Sequence, residues 1–176
     1  MKIAIISDTH DNAPNLEKAL EWMNKNKIEQ IIHCGDLCAS ETLAETLAPN
    51  FKGKIHMVFG NADDTDLITL VAEQFKHVKH YGDVGEIKIE NPPSPKGYGV
   101  TKKIAFAHFP WEAKKLAESG KYNIVFYGHT HKPWDEQIGN TRMLNPGTLA
   151  GLFQKATFAV WNTETGEFRL QILERL

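Results

Sequence analysis

The first half of the chain alternates between short apolar runs and segments with helical periodicity, and this alternation restricts the fold more than any other feature. Residues 2–7, 30–34 and 54–59 are apolar runs typical of buried strands. A segment with apolar residues at helical spacing follows each run: 12–26, 41–48 and 64–75. We expect Pro49 to end the second of these helices. Three strand–helix repeats predict parallel βαβ units and an α/β fold.

The second half of the chain predicts a different arrangement. Its apolar runs indicate strands at 85–90, 103–107, 123–127, 142–144, 156–162 and 167–173, with one helix at 111–119. We expect the last three strands to be antiparallel, and the Pro- and Gly-rich segment 91–101 is typical of a loop. Since no repeat or linker interrupts the pattern, we predict one domain over residues 1–176, with a mixed sheet or two packed sheets.

Composition and charge exclude several classes of protein. A net charge of −2 provides no basic surface for a stable nucleic-acid partner. No apolar run approaches the roughly 20 residues that span a bilayer, so we expect no membrane partner. The two cysteines, Cys34 and Cys38, have a spacing that fits neither a redox nor a zinc motif. We therefore expect free thiols and a cytoplasmic location.

Polar side chains follow five of the predicted strands, at the point where each strand ends. They are carboxylates, imidazoles and one amide: Asp8 and His10, Asp36, Asn61, His108, and His129 and His131. The carboxyl ends of parallel strands form the edge of a sheet where sites are built. Each Asp-x-His or His-x-His pair has side chains two residues apart, which point the same way in an extended chain. We expect these seven residues to converge.

This combination of ligand types suits first-row divalent metals better than calcium or magnesium. Seven ligands exceed the needs of one ion, so we predict two ions that share a bridging carboxylate, with Asp36 as the candidate bridge. A single strand-end Asp or a single His is more often structural, and we expect structural roles for His33, His56, His77 and His80. The ordered combination favours a metal site.

The same motifs resemble the calcineurin-like metallophosphoesterases over essentially the whole chain. The matching segments are DTH at 8–10, GD at 35–36, GN-x-D at 60–63, His108 and GHTH at 128–131. The resemblance implies a four-layer αββα sandwich, with two mixed β-sheets flanked by helices. It also places the chain nearest to the small single-domain prokaryotic phosphodiesterases.

The resemblance further implies a ligand set for each ion. One ion takes Asp8, His10, Asp36 and His131, and the other takes Asp36, Asn61, His108 and His129. Manganese is the expected metal, with nickel, cobalt, iron(II) and zinc as alternatives. The expected reaction is hydrolysis of a small phosphodiester by a metal-bound hydroxide, with Asp36, Asn61 and His108 acting through the metals. The NPGT segment at 145–148 is similar to a family loop that lies beside the site, and a homodimer is one expected state.

The sequence departs from the family pattern at two places. Phe109-Pro110 follows His108 where the family usually has Gly and a second His. Ala62 occupies the position at which many relatives have a catalytic His, oriented by the residue matching Asp63. We therefore expect no general acid at this position. We also expect Phe109, Trp111, Trp134 and the segment 91–101 to shape substrate specificity, although the three aromatic residues could equally be core or dimer contacts.

Two other functions are compatible with the same fold. One is a catalytically inactive scaffold for protein contacts, like the retromer subunit of this family. The other is a phosphomonoesterase or a hydrolase of dinucleotide polyphosphates. A scaffold would be expected to have lost metal ligands, and all seven are present here. The sequence therefore favours the phosphodiesterase.

Overall fold

The computed structural model describes residues 1–91 and 99–176. Its strands are β1 Lys2–Ile6, β2 Gln30–His33, β3 Lys54–Met57, β4 Val78–His80, β5 Val84–Asn91, β6 Val100–Ala107, β7 Ile124–Phe126, β8 Trp134–Ile138, β9 Thr141–Asn145, β10 Thr157–Asn162 and β11 Phe168–Ile172. Its helices are α1 Ala13–Lys25, α2 Ala48–Asn50, α3 Thr65–Ala72 and α4 Pro110–Glu118. A π-helical segment, Thr42–Leu47, leads directly into α2, and a 3₁₀ turn, Leu173–Arg175, follows β11.

The strands form two mixed sheets. The first has six strands in the order β11-β10-β1-β2-β3-β4, and the second has five in the order β5-β6-β7-β9-β8. In the first sheet β1 to β4 pair parallel, and β10 and β11 are antiparallel additions. In the second sheet β6, β7 and β9 pair parallel, and β5 and β8 are antiparallel edges. The parallel βαβ units and the two packed sheets are confirmed.

Alternating side chains of each strand divide the interior into three apolar layers. Ile3 and Ile5 of β1 face the layer between the two sheets, where they meet residues such as Phe106 and Trp161. Ala4 and Ile6 face the opposite side, where α1, the π-helical segment and α3 pack against the first sheet. A smaller cluster packs α4 against the outer face of the second sheet. The four-layer αββα sandwich is therefore confirmed.

Several expectations about individual elements are wrong. The second helix does not end at Pro49, because α2 continues the π-helical segment, includes this residue and ends one residue later, at Asn50. The short strands β4 and β8 were not predicted. Strand β9 is not antiparallel to β10, since the two strands belong to different sheets. The central part of the predicted loop, 92–98, lies outside the described residues.

No helix in the described ranges, 1–91 and 99–176, is long and apolar enough to cross a membrane.

Candidate metal centre

The carboxyl ends of five strands from both sheets meet at one rim of the sandwich. Asp8 and His10 follow β1, Asp36 follows β2, and Asn61 follows β3. From the second sheet, His108 follows β6 directly, and His129 and His131 follow β7. The structure brings all seven predicted ligands together there, through the contacts described below.

The first group of contacts contains Asp8, His10 and His131. One ligand atom of each lies within 4.8 Å of the others. The two imidazoles face each other, with 3.1 Å between His10 Nε2 and His131 Nε2. Asp8 Oδ1 lies 3.3 Å from His131 Nε2 and 3.9 Å from His10 Nε2. One carboxylate and two ring nitrogens thus converge on a common point.

The second group surrounds His108. Its Nε2 lies 3.1 Å from Asn61 Oδ1 and 3.2 Å from His129 Nδ1. Asp36 Oδ2 lies 3.4 Å from the same nitrogen, and it is also 3.7 Å from His10 Nε2 of the first group. Asp36 is therefore the carboxylate that touches an imidazole of each group.

The hydrogen bonds of His108 and His131 support a cation between these donors. His108 Nδ1 lies 2.8 Å from the carbonyl oxygen of Cys34, and His131 Nδ1 lies 3.3 Å from that of Leu152. Each carbonyl accepts a hydrogen bond from Nδ1–H, so in the neutral ring Nε2 carries a lone pair. These lone pairs lie beside carboxylate and amide oxygens, which have no proton to donate. A divalent ion fits such a set, and backbone carbonyls commonly orient metal-binding histidines in this way.

Burial and charge act differently on the two carboxylates. Burial raises the pKa of Asp8 above its usual value, against the opposing effects of Ser7 and the nearby imidazoles. Burial also opposes ionisation of Asp36, but hydrogen bonds from His108 and from the Ala62 amide outweigh it and lower its pKa. In the protein without ions, burial lowers the pKa of His108, but its hydrogen bond to Asp36 more than compensates, so the pKa of His108 is raised. Asp36 is therefore held as an anion at the centre of the site.

The backbone at this rim is unusual. Five of the seven candidate ligands have a left-handed φ: Asp8 (52°), His10 (43°), Asp36 (57°), His129 (67°) and His131 (59°). Non-glycine residues rarely adopt this conformation, and it costs of order 1–3 kcal/mol where it persists. Such strain concentrates at functional sites, because the surrounding structure has to enforce it. The turns thus hold side chains in positions that an extended chain does not provide.

Two glycines allow the ligand turns to approach each other closely. A Cβ atom on Gly60 would lie 2.1 Å from Asp36 Oδ1, and one on Gly128 would lie 1.9 Å from Ser7 Oγ and 2.8 Å from Asp8 Oδ2. Any larger residue at these positions would displace a candidate ligand.

Residues 1–166 match the model of the calcineurin-like phosphoesterase superfamily domain. A phosphodiesterase of Methanocaldococcus jannaschii is 32% identical over 176 residues, which cover 99% of this chain and 100% of that protein. The chain belongs to the calcineurin-like phosphoesterase superfamily. A probable metallophosphoesterase of Methanothermobacter thermautotrophicus is 28% identical over 84% of this chain and 77% of the relative.

Solved structures extend this comparison of the phosphoesterase fold. An archaeal phosphodiesterase superposes with a TM-score of 0.83 at 29% identity, covering 98% of this chain and 99% of the other. Vps29 from Entamoeba histolytica, in complex with zinc, superposes with a TM-score of 0.67 at 19% identity over 97% of both chains. The second likeness extends to the fold alone.

The phosphoesterase domain has an anchor that sequence reasoning missed. The Asp63 carboxylate accepts three backbone N–H groups: Gly60 at 2.7 Å and Asp36 at 3.1 Å on Oδ2, and Cys38 at 2.7 Å on Oδ1. It therefore connects the turn that carries Asp36 to the turn that carries Asn61. The spacing of the GN-x-D motif marked Asp63 as important, but only the fold reveals these amide partners.

Ala62 lies exposed next to this anchor, and its contribution to the site comes from the backbone. Its N–H donates to Asp36 Oδ1 at 2.8 Å. The methyl group has no proton to donate, as expected from the sequence. Asp63 accepts hydrogen bonds from three backbone amides, and the Ala62 side chain offers it no donor.

The segment 145–148 lies beside the site, as the sequence predicted. Asn145 Nδ2 donates to the carbonyl of Gly128 at 2.8 Å and to Thr130 Oγ1 at 3.1 Å. Thr148 Oγ1 donates to the carbonyl of Asp8 at 2.9 Å. These bonds hold the turns that present the candidate ligands of β1 and β7.

The four remaining histidines that were expected to be structural have structural contacts. His33 accepts the Gly35 amide on Nδ1 and meets Thr9 Oγ1 at 2.9 Å through Nε2. Burial lowers the pKa of His33 to about 4, so it is neutral and connects the first two ligand turns. His56, His77 and His80 likewise contact protein groups outside the candidate ligand set. The two cysteines are free thiols, as predicted.

The aromatic residues proposed as pocket residues separate into two places. Phe109 and Trp111 pack against the imidazole of His129 at the rim. Trp134 lies instead on the edge strand β8, in a groove with Phe168 and Leu170. None of the seven candidate ligands is among the described residues that line this groove. The structure therefore associates the first two aromatics with the candidate metal centre and places Trp134 in the groove of β8.

Proposed function

We propose that this chain is a metal-dependent phosphodiesterase that binds two divalent ions at the rim of its sheets. The observation that carries the proposal is the position of Asp36, 3.7 Å from His10 Nε2 and 3.4 Å from His108 Nε2. One carboxylate thus reaches both groups of nitrogen and oxygen donors. We assign Asp8, His10, Asp36 and His131 to one ion, and Asp36, Asn61, His108 and His129 to the other.

Bound ions would supply Lewis acidity for the phosphate and an activated water for attack. The chain's own groups define how the substrate is held. Two carboxylates leave two dications with an excess of about two positive charges, which an anionic ester complements. The Ala62 amide donates a hydrogen bond to the Asp36 carboxylate, so this ligand is positioned before the substrate arrives.

A diester is the preferred substrate class because this chain lacks a proton donor at Ala62. A monoester dianion depends more on a cationic partner near its leaving group. The name of the Methanocaldococcus jannaschii relative, a phosphodiesterase, supports the same choice. Imidazole, carboxylate and amide donors suit first-row divalent metals, and manganese, which the family resemblance implies, is our first candidate among them. A cytoplasmic location is supported by the two free thiols.

The test combines ion content with activity. Metal-stripped protein is supplied separately with manganese, nickel, cobalt, iron(II) and zinc, then assayed on an aryl diester and on the matching monoester. We expect two ions per chain by elemental analysis and faster hydrolysis of the diester. Asp36→Asn should lose the second ion and most of the activity, because both groups share this carboxylate.

Asp11→Asn is the matched control. Asp11 Oδ1 accepts from the Ala39 amide and from Thr42 Oγ1, and an asparagine oxygen can accept both bonds. This variant should keep its ions and its activity. A protein that binds one ion or none, or an Asp36→Asn variant with normal ion content and rate, would refute the proposal. Bound ions without hydrolysis of any ester would favour the scaffold function.

A further inference from the structure

An aromatic pair stands beside the second group of candidate ligands. The rings of Phe109 and Trp111 are stacked, with centroids 4.4 Å apart and an angle of 15° between their planes. The Phe109 ring meets His108 and His129 edge-on, at 5.0 and 4.9 Å. The Trp111 ring also meets His129 edge-on, at 5.8 Å. The pair thus extends outward from two imidazoles of the site.

The local sequence explains why these rings stack where they do. Phe109 is the N-cap of α4 with an extended backbone, φ −83° and ψ 138°. Pro110 at the start of the helix disfavours a helical conformation for the residue before it. His108 therefore ends β6 inside the site, while Phe109 and Trp111 emerge from the first turn of α4. This arrangement follows from the Phe-Pro pair by which the chain departs from the family pattern.

One face of this pair is available to a ligand. Trp111 is 52% exposed although Phe109 covers one of its faces. In residues 1–91 and 99–176 no other ring or cation is stacked on the indole besides Phe109 and the edge contact with His129. Phe109 thus covers one face of the indole, and no described ring or cation stacks on the other. An indole face of this kind can stack a second planar ring.

We propose that Trp111, supported by Phe109, forms a subsite that stacks a planar aromatic substituent of the ester, either an aryl group or a nucleobase. The inference rests on the proposed function, because the ester has to bind at the ligand group that contains His129. Its substituent would then lie beside the indole. Stacking of a base on an aromatic side chain contributes about 1–3 kcal/mol. The subsite would therefore select substrates by their substituent without taking part in bond cleavage.

Binding of three phosphate monoesters tests the subsite. Adenosine 5′-monophosphate and phenyl phosphate have a planar ring, whereas ribose 5-phosphate has the same phosphate without one. We expect metal-loaded wild-type protein to bind at least one aromatic ligand about 5- to 150-fold more tightly than ribose 5-phosphate. Preference for both aromatic ligands would indicate an aryl subsite next to the phosphate. Preference for the nucleotide alone would indicate a base held beyond the sugar.

Three variants separate the subsite from a structural role. Trp111→Ala should reduce the preference to about twofold or less, with the affinity for ribose 5-phosphate unchanged. Trp111→Phe should keep part of the preference, because a ring remains. Trp134→Ala is the matched control, since Trp134 is similarly exposed, at 49%, and lies in the groove on β8. This variant should bind all three ligands as the wild type does.

The outcomes distinguish the subsite from the proposed function. Equal affinities of the wild type for all three ligands, binding of none of them, or a preference that survives in Trp111→Ala would overturn the subsite. Diester hydrolysis by the metal-loaded protein is measured separately. Hydrolysis with no aromatic preference refutes the subsite alone. An aromatic preference with no hydrolysis of any ester refutes the proposed function alone.

Discussion

Asp63 holds the two turns that carry Asp36 and Asn61, and it does so through hydrogen bonds to three backbone amides. In Asp63→Asn, one carboxylate oxygen becomes an NH₂ group that faces an N–H donor. We expect the free energy of unfolding to fall by about 1–3 kcal/mol, because a buried donor loses its partner. We also expect the affinity for divalent ions to fall about 10- to 100-fold, the usual cost of losing a group that orients ligands.

Urea denaturation of metal-stripped protein measures the first effect, and titration with manganese measures the second. Asp64→Asn is the matched control, because Asp64 is the N-cap of α3 and Asn is an equally good cap. This control should change neither quantity. An Asp63→Asn variant with unchanged stability and ion affinity would show that the Asp63 carboxylate is not needed to hold the two turns.

Ala62 is the position at which a proton donor can be introduced. It is exposed, and its backbone N–H already lies 2.8 Å from Asp36 Oδ1. A general acid contributes about 10²–10⁴-fold by protonating the leaving oxygen. Asp63 already accepts hydrogen bonds from three backbone amides and would orient a new imidazole poorly. We therefore expect the rate of hydrolysis by Ala62→His to rise by about 10²-fold, the lower end of this range. The gain should be confined to alkyl esters, whose leaving groups need protonation.

A series of diesters with leaving groups of increasing pKa checks this expectation. Wild-type rates should fall steeply along the series, and those of Ala62→His should fall less. Ala62→Gln is the matched control for size, since its amide cannot donate a proton to the leaving group, and it should follow the wild type. If wild-type rates are equal along the series, another group already supplies the proton.

The seven candidate ligands were accessible to sequence reasoning because each follows an apolar strand by a few residues, so that chain order alone placed them at one rim. The left-handed backbone of Asp36 and the amide partners of Asp63 were not accessible. Both depend on how turns from different strands meet, and no local pattern encodes that meeting. The groove in which Trp134 lies was not accessible for a similar reason: an exposed tryptophan has no pattern that identifies its neighbours.

At the scale of elements, His56 of β3 connects three neighbouring segments of the first sheet. Its Nε2 lies 3.0 Å from Gln30 Oε1 on β2, and its Nδ1 lies 2.8 Å from the hydroxyl of Tyr81, which follows β4. Burial lowers the pKa of His56 to about 4, from 6.5 when unfolded. The folded state therefore binds fewer protons than the unfolded state between these values. The contribution of this pKa difference to the unfolding free energy is fully present above pH 6.5 and is lost as the pH falls towards 4.

For one histidine, this difference in pKa corresponds to about 2 kcal/mol of unfolding free energy between pH 7 and pH 5. We expect His56→Gln to lower stability at pH 7 but to lose about 2 kcal/mol less than the wild type on acidification. Urea denaturation of metal-stripped protein at both pH values gives the comparison. Gln30→Leu removes one hydrogen bond of the same imidazole and keeps the titrating group. Between pH 7 and pH 5 this variant should therefore lose as much unfolding free energy as the wild type. Identical losses in His56→Gln and the wild type would contradict the assignment.

The elements that the sequence did not predict share a physical feature. Strand β4 has only three residues, and the edge strand β8 presents mostly exposed polar side chains. Periodicity reveals a strand through its buried face, so strands with little buried surface leave no pattern. The assignment of β9 and β10 to different sheets depends on long-range contacts, which a run of apolar residues does not specify. The strands with fully buried faces were found.

At the scale of the whole molecule, the apolar layers and the candidate metal centre occupy different places. The layers lie between the sheets and under the helices, whereas the seven ligands lie at the ends of strands. Removing the ions should therefore leave both sheets folded, although Asp8 and Asp36 then lie buried beside each other without a cation. Two ions, each present at about 30 times its dissociation constant, would together stabilise the folded state by about 4 kcal/mol.

We expect chelated protein to keep its far-ultraviolet circular dichroism and to lose all hydrolysis. Its melting temperature should fall by about 10 °C, because 1 kcal/mol shifts the midpoint of a chain of this size by about 2–4 °C. Adding manganese back should restore the temperature and the activity together in the wild type. In Asp36→Asn the same addition should restore about half of this rise in melting temperature and little activity, because this variant is expected to bind one ion fewer. Loss of the circular dichroism signal in chelator would instead show that the ions are needed to fold the sheets, as in small domains whose folding free energy comes from the metal.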